Sequence, residues 1–166
     1  MSKNQRKKKH TAYGANRQWA ESVARRIDAI VQETPLPEGK MSDIVVSFAE
    51  PLMDAFVESD QDQVEVLTFA CLLWNLVFIR ERDRKLYANA ESRLIELLSG
   101  TPYFLGPAQA LNLLTAMFKR WDQDFSWCRR GILDKQIVIG KNRVHMSIVS
   151  SPIPDSEGIG TASDLE

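Results

Sequence analysis

A chain of 166 residues with 44% hydrophobic and 26% charged side chains can bury one core, and it is too apolar to be disordered throughout. Its two cysteines, Cys71 and Cys128, lie far apart in helix-like surroundings, which argues against a disulfide framework and for free thiols in a reducing compartment. The net charge of −1 conceals ends of opposite sign: Lys3, Arg6, Lys7, Lys8 and Lys9 stand without an acid in the first ten residues, and Asp155, Glu157, Asp164 and Glu166 without a base in the last twelve.

The basic start resembles the first part of a secretory signal, but no apolar run follows it. Residues 1–14 read instead as a disordered basic head. The most apolar stretch, Val64 to Ile79, is interrupted by Glu65, Thr68 and Asn75 and is shorter than the ~18 apolar residues of a membrane span. It predicts a buried central helix, and with it a cytoplasmic protein without a membrane partner.

Periodic segments begin near Ala15. Trp19, Val23, Ile27 and Ile30 recur at helical steps and predict an amphipathic helix, which Thr34-Pro35-Leu36-Pro37-Glu38-Gly39 stops. Ser42-Asp43 offers a cap for a second helix, in which Ile44, Phe48, Leu52 and Phe56 repeat every four residues. Pro51 falls inside that stripe, which continues on the same face beyond it, so one kinked helix is expected. Ser59-Asp60-Gln61-Asp62 opens the third, apolar around most of its circumference and hence the element the others should surround. Arg80 to Lys85 turns the chain into water, with Glu81 and Lys85 spaced for an ion pair. Leu86, Ala90, Leu94, Leu97 and Leu98 carry a fourth helix that ends at Ser99-Gly100-Thr101-Pro102. Pro107 starts a fifth, with Leu111, Leu114, Phe118, Trp121 and Phe125 on one face and Gly131 closing the helical region.

Beyond Asp134 the pattern changes. Ile137-Val138-Ile139, then Gly140-Lys141-Asn142, then the alternating Arg143 to Val149 predict a β-hairpin over residues 133–150. Residues 151–166, rich in Pro, Gly, Ser and acids, read as a disordered tail. The expected fold is α+β and predominantly α: about five helices around the third, closed by one hairpin, as a single domain over 15–150.

No segment carries a recognisable reaction. Cys71, Cys128, His10 and His145 are scattered without metal-ligand spacing, so no metal or cofactor is expected. Cys128 beside Arg129 and Arg130 could favour a thiolate, but His145 is the sole folded base and no spacing brings them together. Gly140-Lys141-Asn142 lacks the glycines of a phosphate loop, and Asp122 and Asp124 read as solvated carboxylates at a helix end. Asn75, polar on a very apolar helix, predicts an internal hydrogen-bonding device. The segment from Trp121 to Arg130 concentrates residue types that dominate interaction hot spots, and Trp127, Arg129 and Arg130 are the expected partner-binding residues. The hairpin edge is a second candidate, since an unpaired strand can accept one from another chain. Lys3, Arg6, Lys7, Lys8 and Lys9 could neutralise nucleic-acid phosphates.

From Asp43 to Ser150 the chain resembles a group of small bacterial helical proteins. The matched features are the pair Trp74-Asn75, then Lys119 and Phe125 in a later helix, then Ile132-Leu133-Asp134 leading into a hairpin that ends near Val149-Ser150. That group has no assigned activity, so the resemblance implies a helical domain with a terminal hairpin and no catalytic residues. The function favoured is a non-enzymatic protein-interaction role, as an adaptor or accessory subunit whose partner is another protein or a second copy. The alternatives are a nucleic-acid-associated protein using the basic head, and an enzyme whose site assembles across elements.

Overall fold

The computed structural model describes residues 17–23, 25–26, 39–100, 106–141 and 143–153. The basic head, Ile27 and Ile30 of the first stripe, and the tail from residue 154 lie outside them. Helical residues 17–23 and 25–26 form α1. Then come α2 (Met41–Phe56), α3 (Asp60–Arg82), α4 (Arg84–Ser99) and α5 (Pro107–Arg120), which widens into a π-helical turn at Trp121–Phe125. Strands β1 (Arg130–Ile139) and β2 (Val144–Pro152) close the chain as an antiparallel pair. This is the α+β, predominantly helical architecture that periodicity predicts.

Helix α3 begins where Ser59 accepts a hydrogen bond from the Asp62 amide (3.2 Å) and donates one to Asp62 Oδ2 (2.7 Å). The Ser59 hydroxyl thus satisfies one amide the helix itself cannot, and it is the main reason the Asp62 carboxyl is held below its ordinary range. By length and composition α3 could cross a membrane, yet half of that window is buried within the bundle. Leu73, Trp74 and Val77 are wholly enclosed, and α2, α4, α5 and the hairpin all pack on it. Its companions are aromatic. Trp74 meets Phe48, Trp121 and Phe125 edge-on at 5.5, 6.1 and 6.0 Å between ring centres, and Phe78 meets Trp121 at 5.4 Å. Such T-shaped pairs add about 0.5–1.5 kcal/mol each to the burial of the rings.

The α5 stripe is adjusted. Leu114, Phe118, Trp121 and Phe125 are buried as expected, but Leu111 is exposed and Ala110 and Met117 take its place on the inner face. Ser42 and Asp43 do not cap α2. Lys40 holds that position, with no side-chain cap. Glu81 pairs with Arg129 Nη1 at 2.8 Å instead of Lys85, because Asp83 breaks the helix between them and caps α4 through Leu86 N. Helix α4 has no buried residue; Tyr87, Ala90, Leu94 and Leu98 lie half-covered against α3 and α5.

Pro51 stays inside one continuous helix. A proline has no amide hydrogen, so the carbonyl four residues back, that of Ser47, loses its helical donor. Arg120 Nη2 supplies one at 2.9 Å. The same guanidinium lies 5.4 Å from the centre of the Phe125 ring and pairs with Glu50 and Asp124 at 3.5 and 3.7 Å. A defect in one helix is thereby converted into a contact with another.

The hairpin begins at Arg130 and continues through Pro152, beyond the expected limits on both sides, so Gly131 belongs to a strand and residues 151 and 152 are not tail. Its position is set by two neighbours on α3. Trp74 Nε1 donates to the Arg130 carbonyl at 2.8 Å. Asn75 treats Ile132 as a strand would: Nδ2 donates to the carbonyl and Oδ1 accepts from the amide, both at 2.8 Å. Asn75 is the hydrogen-bonding device its setting predicts.

Two outcomes follow for urea denaturation. Asn75→Ala leaves both polar groups of Ile132 without a partner and lowers stability by about 2–4 kcal/mol, whereas Trp74→Phe, which keeps most of the ring, costs about 1–3 kcal/mol. Arg120→Ala costs about 1–3 kcal/mol in the natural chain and about 1 kcal/mol less beside Pro51→Ala, whose new amide restores the helical bond to Ser47. Equal costs in both backgrounds would refute the role given to Arg120.

Candidate interaction site

Once Asn75 has fixed Ile132, the following residue has no place in the ladder. Ile132 pairs with Ser150 and Asp134 with Val149, so Leu133 forms a β-bulge. The bulge switches which residues face inward. Before it the even-numbered Ile132 is buried; after it the odd-numbered Ile137 packs on the core while Gln136 and Val138 are exposed. Leu133 itself is turned outward, 44% exposed.

Beside it lies an open groove of about 380 Å³ between the second half of α3 and the base of the hairpin. Phe78 and Ile79 form one wall, Leu133 the other, and Pro152 and Ile153 one end, with Asn75 also lining it. Ile153 is held there by its amide, which donates to the Arg129 carbonyl at 2.9 Å. Gly131 makes room for this closeness: a Cβ at that position would lie 3.0 Å from Ile153 Cδ1, which would have to shift.

The residues expected to bind a partner are divided among different tasks. Trp127 is 48% exposed, its indole nitrogen donating to the Asp124 carbonyl at 2.9 Å, so the ring is fixed in place at the surface. Arg129 lies over the Phe78 ring at 5.5 Å and bonds Glu81. Arg130 crosses to β2, where Nε donates to Ser150 Oγ at 3.0 Å and Nη2 to the Ser150 carbonyl at 3.3 Å. Each arginine is thus engaged within the fold and helps brace the hairpin base that borders the groove. Lys3, Arg6, Lys7, Lys8 and Lys9 lie outside the described residues.

Sequence reading missed Ile79, Leu133, Pro152 and Ile153. The parity change between Ile132 and Ile137 is a signal for the bulge, but the pairing of α3 with β1 that builds the groove leaves no trace in local periodicity.

Among the described residues, Cys128 and His145 are not brought together. Cys128 is buried, its Sγ 3.8 Å from Met41 Sδ, while His145 pairs with Val138 near the far end of the hairpin. Eight strand residues at about 3.3 Å each separate those ends. Among the described residues no three of His, Cys, Asp and Glu group closely enough to hold a metal ion. Burial, opposed by the charge of Lys135, pushes the Cys71 thiol up to about 11. Burial, reinforced by Glu91, likewise raises the Tyr87 hydroxyl, which bonds Glu91 Oε1 at 2.6 Å.

At pH 8 the Cys71 thiolate fraction is about one in a thousand, and Cys128 is shielded. Both thiols are therefore expected to react with a disulfide reagent only at the rate of unfolding, and at once in urea. A native Cys71 that titrates rapidly would contradict this packing. Comparison of the chain with protein-family models, with curated proteins and with solved structures finds no match.

Proposed function

We propose that this chain is a non-enzymatic interaction protein, an adaptor or accessory subunit, that receives an apolar side chain of a partner protein in the groove between α3 and the hairpin base. The observation that carries this reading is the Leu133 bulge. A large apolar side chain is turned to solvent at a groove lined mostly by apolar residues, together with Arg82 and Ser151, while hydrogen bonds from Trp74 and Asn75 hold the backbone just before it, at Arg130 and Ile132. Bulges that re-aim a side chain are characteristic of functional edges. A volume of about 380 Å³ falls within the range of ~300–1,000 Å³ typical of binding clefts. Rigid supports limit the ordering cost of association. Trp127, exposed and fixed by its own hydrogen bond, is suited to extend the contact.

The bundle uses the apolar surface of α3 as its core, and this supports a cytoplasmic location without a membrane partner.

The test is capture by the tagged full-length chain from nuclease-treated native lysate, compared with Leu133→Asp and with Leu97→Asp. Leu97 is a 70% exposed apolar residue on α4, away from the groove. Binding of a stoichiometric protein is expected to fall at least tenfold in Leu133→Asp and to persist in Leu97→Asp. Equal loss in both, or in neither, would reject the groove. Sedimentation equilibrium of the purified chain reports whether the partner is a second copy.

A further inference from the structure

From Lys135 to Pro154 the sequence contains Lys135, Lys141, Arg143 and His145 and no carboxylate. Five arginines elsewhere, Arg17, Arg26, Arg80, Arg120 and Arg129, each have a carboxylate partner at 3.7 Å or less. Among the described residues no carboxylate pairs with Lys141 or Arg143. Both are exposed, as is His145, whose Nε2 accepts a long contact of 3.4 Å from Arg143 Nε. The same end of the hairpin exposes two large apolar residues, Val138 (49%) and Ile139 (47%). The turn is tight. Gly140 N donates to the Arg143 carbonyl at 2.9 Å, and a Cβ on Gly140 would meet that oxygen at 2.9 Å. The basic side chains are thus presented on a closed, narrow ribbon.

We propose that the hairpin tip is a DNA-duplex-binding finger, with Lys141 and Arg143 on phosphates and Val138 and Ile139 against the groove. Two strands about 4.8 Å apart make a ribbon about 10 Å wide with its side chains. A B-form major groove about 12 Å wide and ~8.5 Å deep admits such a ribbon. One face of the ribbon stays on the bundle as far as Val144, which packs on the core, so Lys141 and Arg143 at the turn and the exposed Val138 and Ile139 are the parts that face the duplex. An anionic partner is specified by charge, since a carboxylate-free tip gains from releasing counterions as it neutralises phosphates. This inference is independent of the groove at the hairpin base.

The experiment is fluorescence anisotropy of a labelled mixed-sequence duplex of about two helical turns, roughly 20 base pairs, titrated with the full chain over a salt series. Lys141→Glu with Arg143→Glu is expected to weaken binding at least tenfold and to reduce the slope of log K against log salt by about two. The control reversal Lys85→Glu with Arg93→Glu, on α4, carries the same change in net charge and is expected to alter affinity less than threefold. Unchanged melting by circular dichroism shows that each variant is folded, and the milder Lys141→Gln with Arg143→Gln replaces any that is not. Absence of binding by the natural chain would overturn the proposal. So would equal loss in the α4 control, or binding removed only by deleting residues 2–10. Loss confined to vesicles containing phosphatidylserine, with duplex binding intact, would overturn it in favour of a membrane surface.

Discussion

The fold depends on how one strand is attached to one helix. A two-stranded hairpin is marginal in water by itself. Here the edge of β1 that lacks a strand is partly satisfied by side chains of α3, the indole of Trp74 and the carboxamide of Asn75. The indole belongs simultaneously to the aromatic core, so the strand is tied to the best-packed group in the molecule. Remove that tie and the hairpin loses its register on the bundle, and with it the inward placement of Ile137, Met146 and Ile148.

Arginine stacking repeats the same economy around the core. Arg80, Arg120 and Arg129 lie over Phe118, Phe125 and Phe78 at 5.3, 5.4 and 5.5 Å, and each also meets a carboxylate. Exposed ion pairs alone contribute little. Planar guanidinium groups that cover aromatic faces add packing and directional bonds to that weak attraction. In the Arg120 case the gain is specific, because Pro51 leaves a carbonyl that no backbone amide of α2 can reach.

Helix-scale features were legible because they are local. The circumferential apolarity of Val64–Ile79 identified the central helix, the four-residue repeat through Pro51 identified one helix in place of two, and Asn75 was readable as an internal hydrogen-bonding group. What escaped was non-local. The Glu81–Lys85 spacing was correct for a continuous helix, but Asp83 interrupts it and Arg129 arrives from 48 residues away. The parity change from Ile132 to Ile137 signals a bulge without saying which residue forms it; the non-local grip of Asn75 on Ile132 leaves that place to Leu133. Trp127, Arg129 and Arg130 stood out by residue type, yet type says nothing of direction: both arginines turn to brace the domain and the tryptophan remains at the surface.

The half-covered state of α4 has a consequence for how the molecule moves. A helix without a single buried residue is held only through half-covered side chains, Tyr87, Ala90, Leu94, Ile95 and Leu98, whereas α3 cannot leave without opening the whole core. Backbone amides of α4 are therefore expected to open at lower free energy than those of α2, α3, α5 and the hairpin. Detachment of α4 would leave both the hairpin and its anchor on α3 in place.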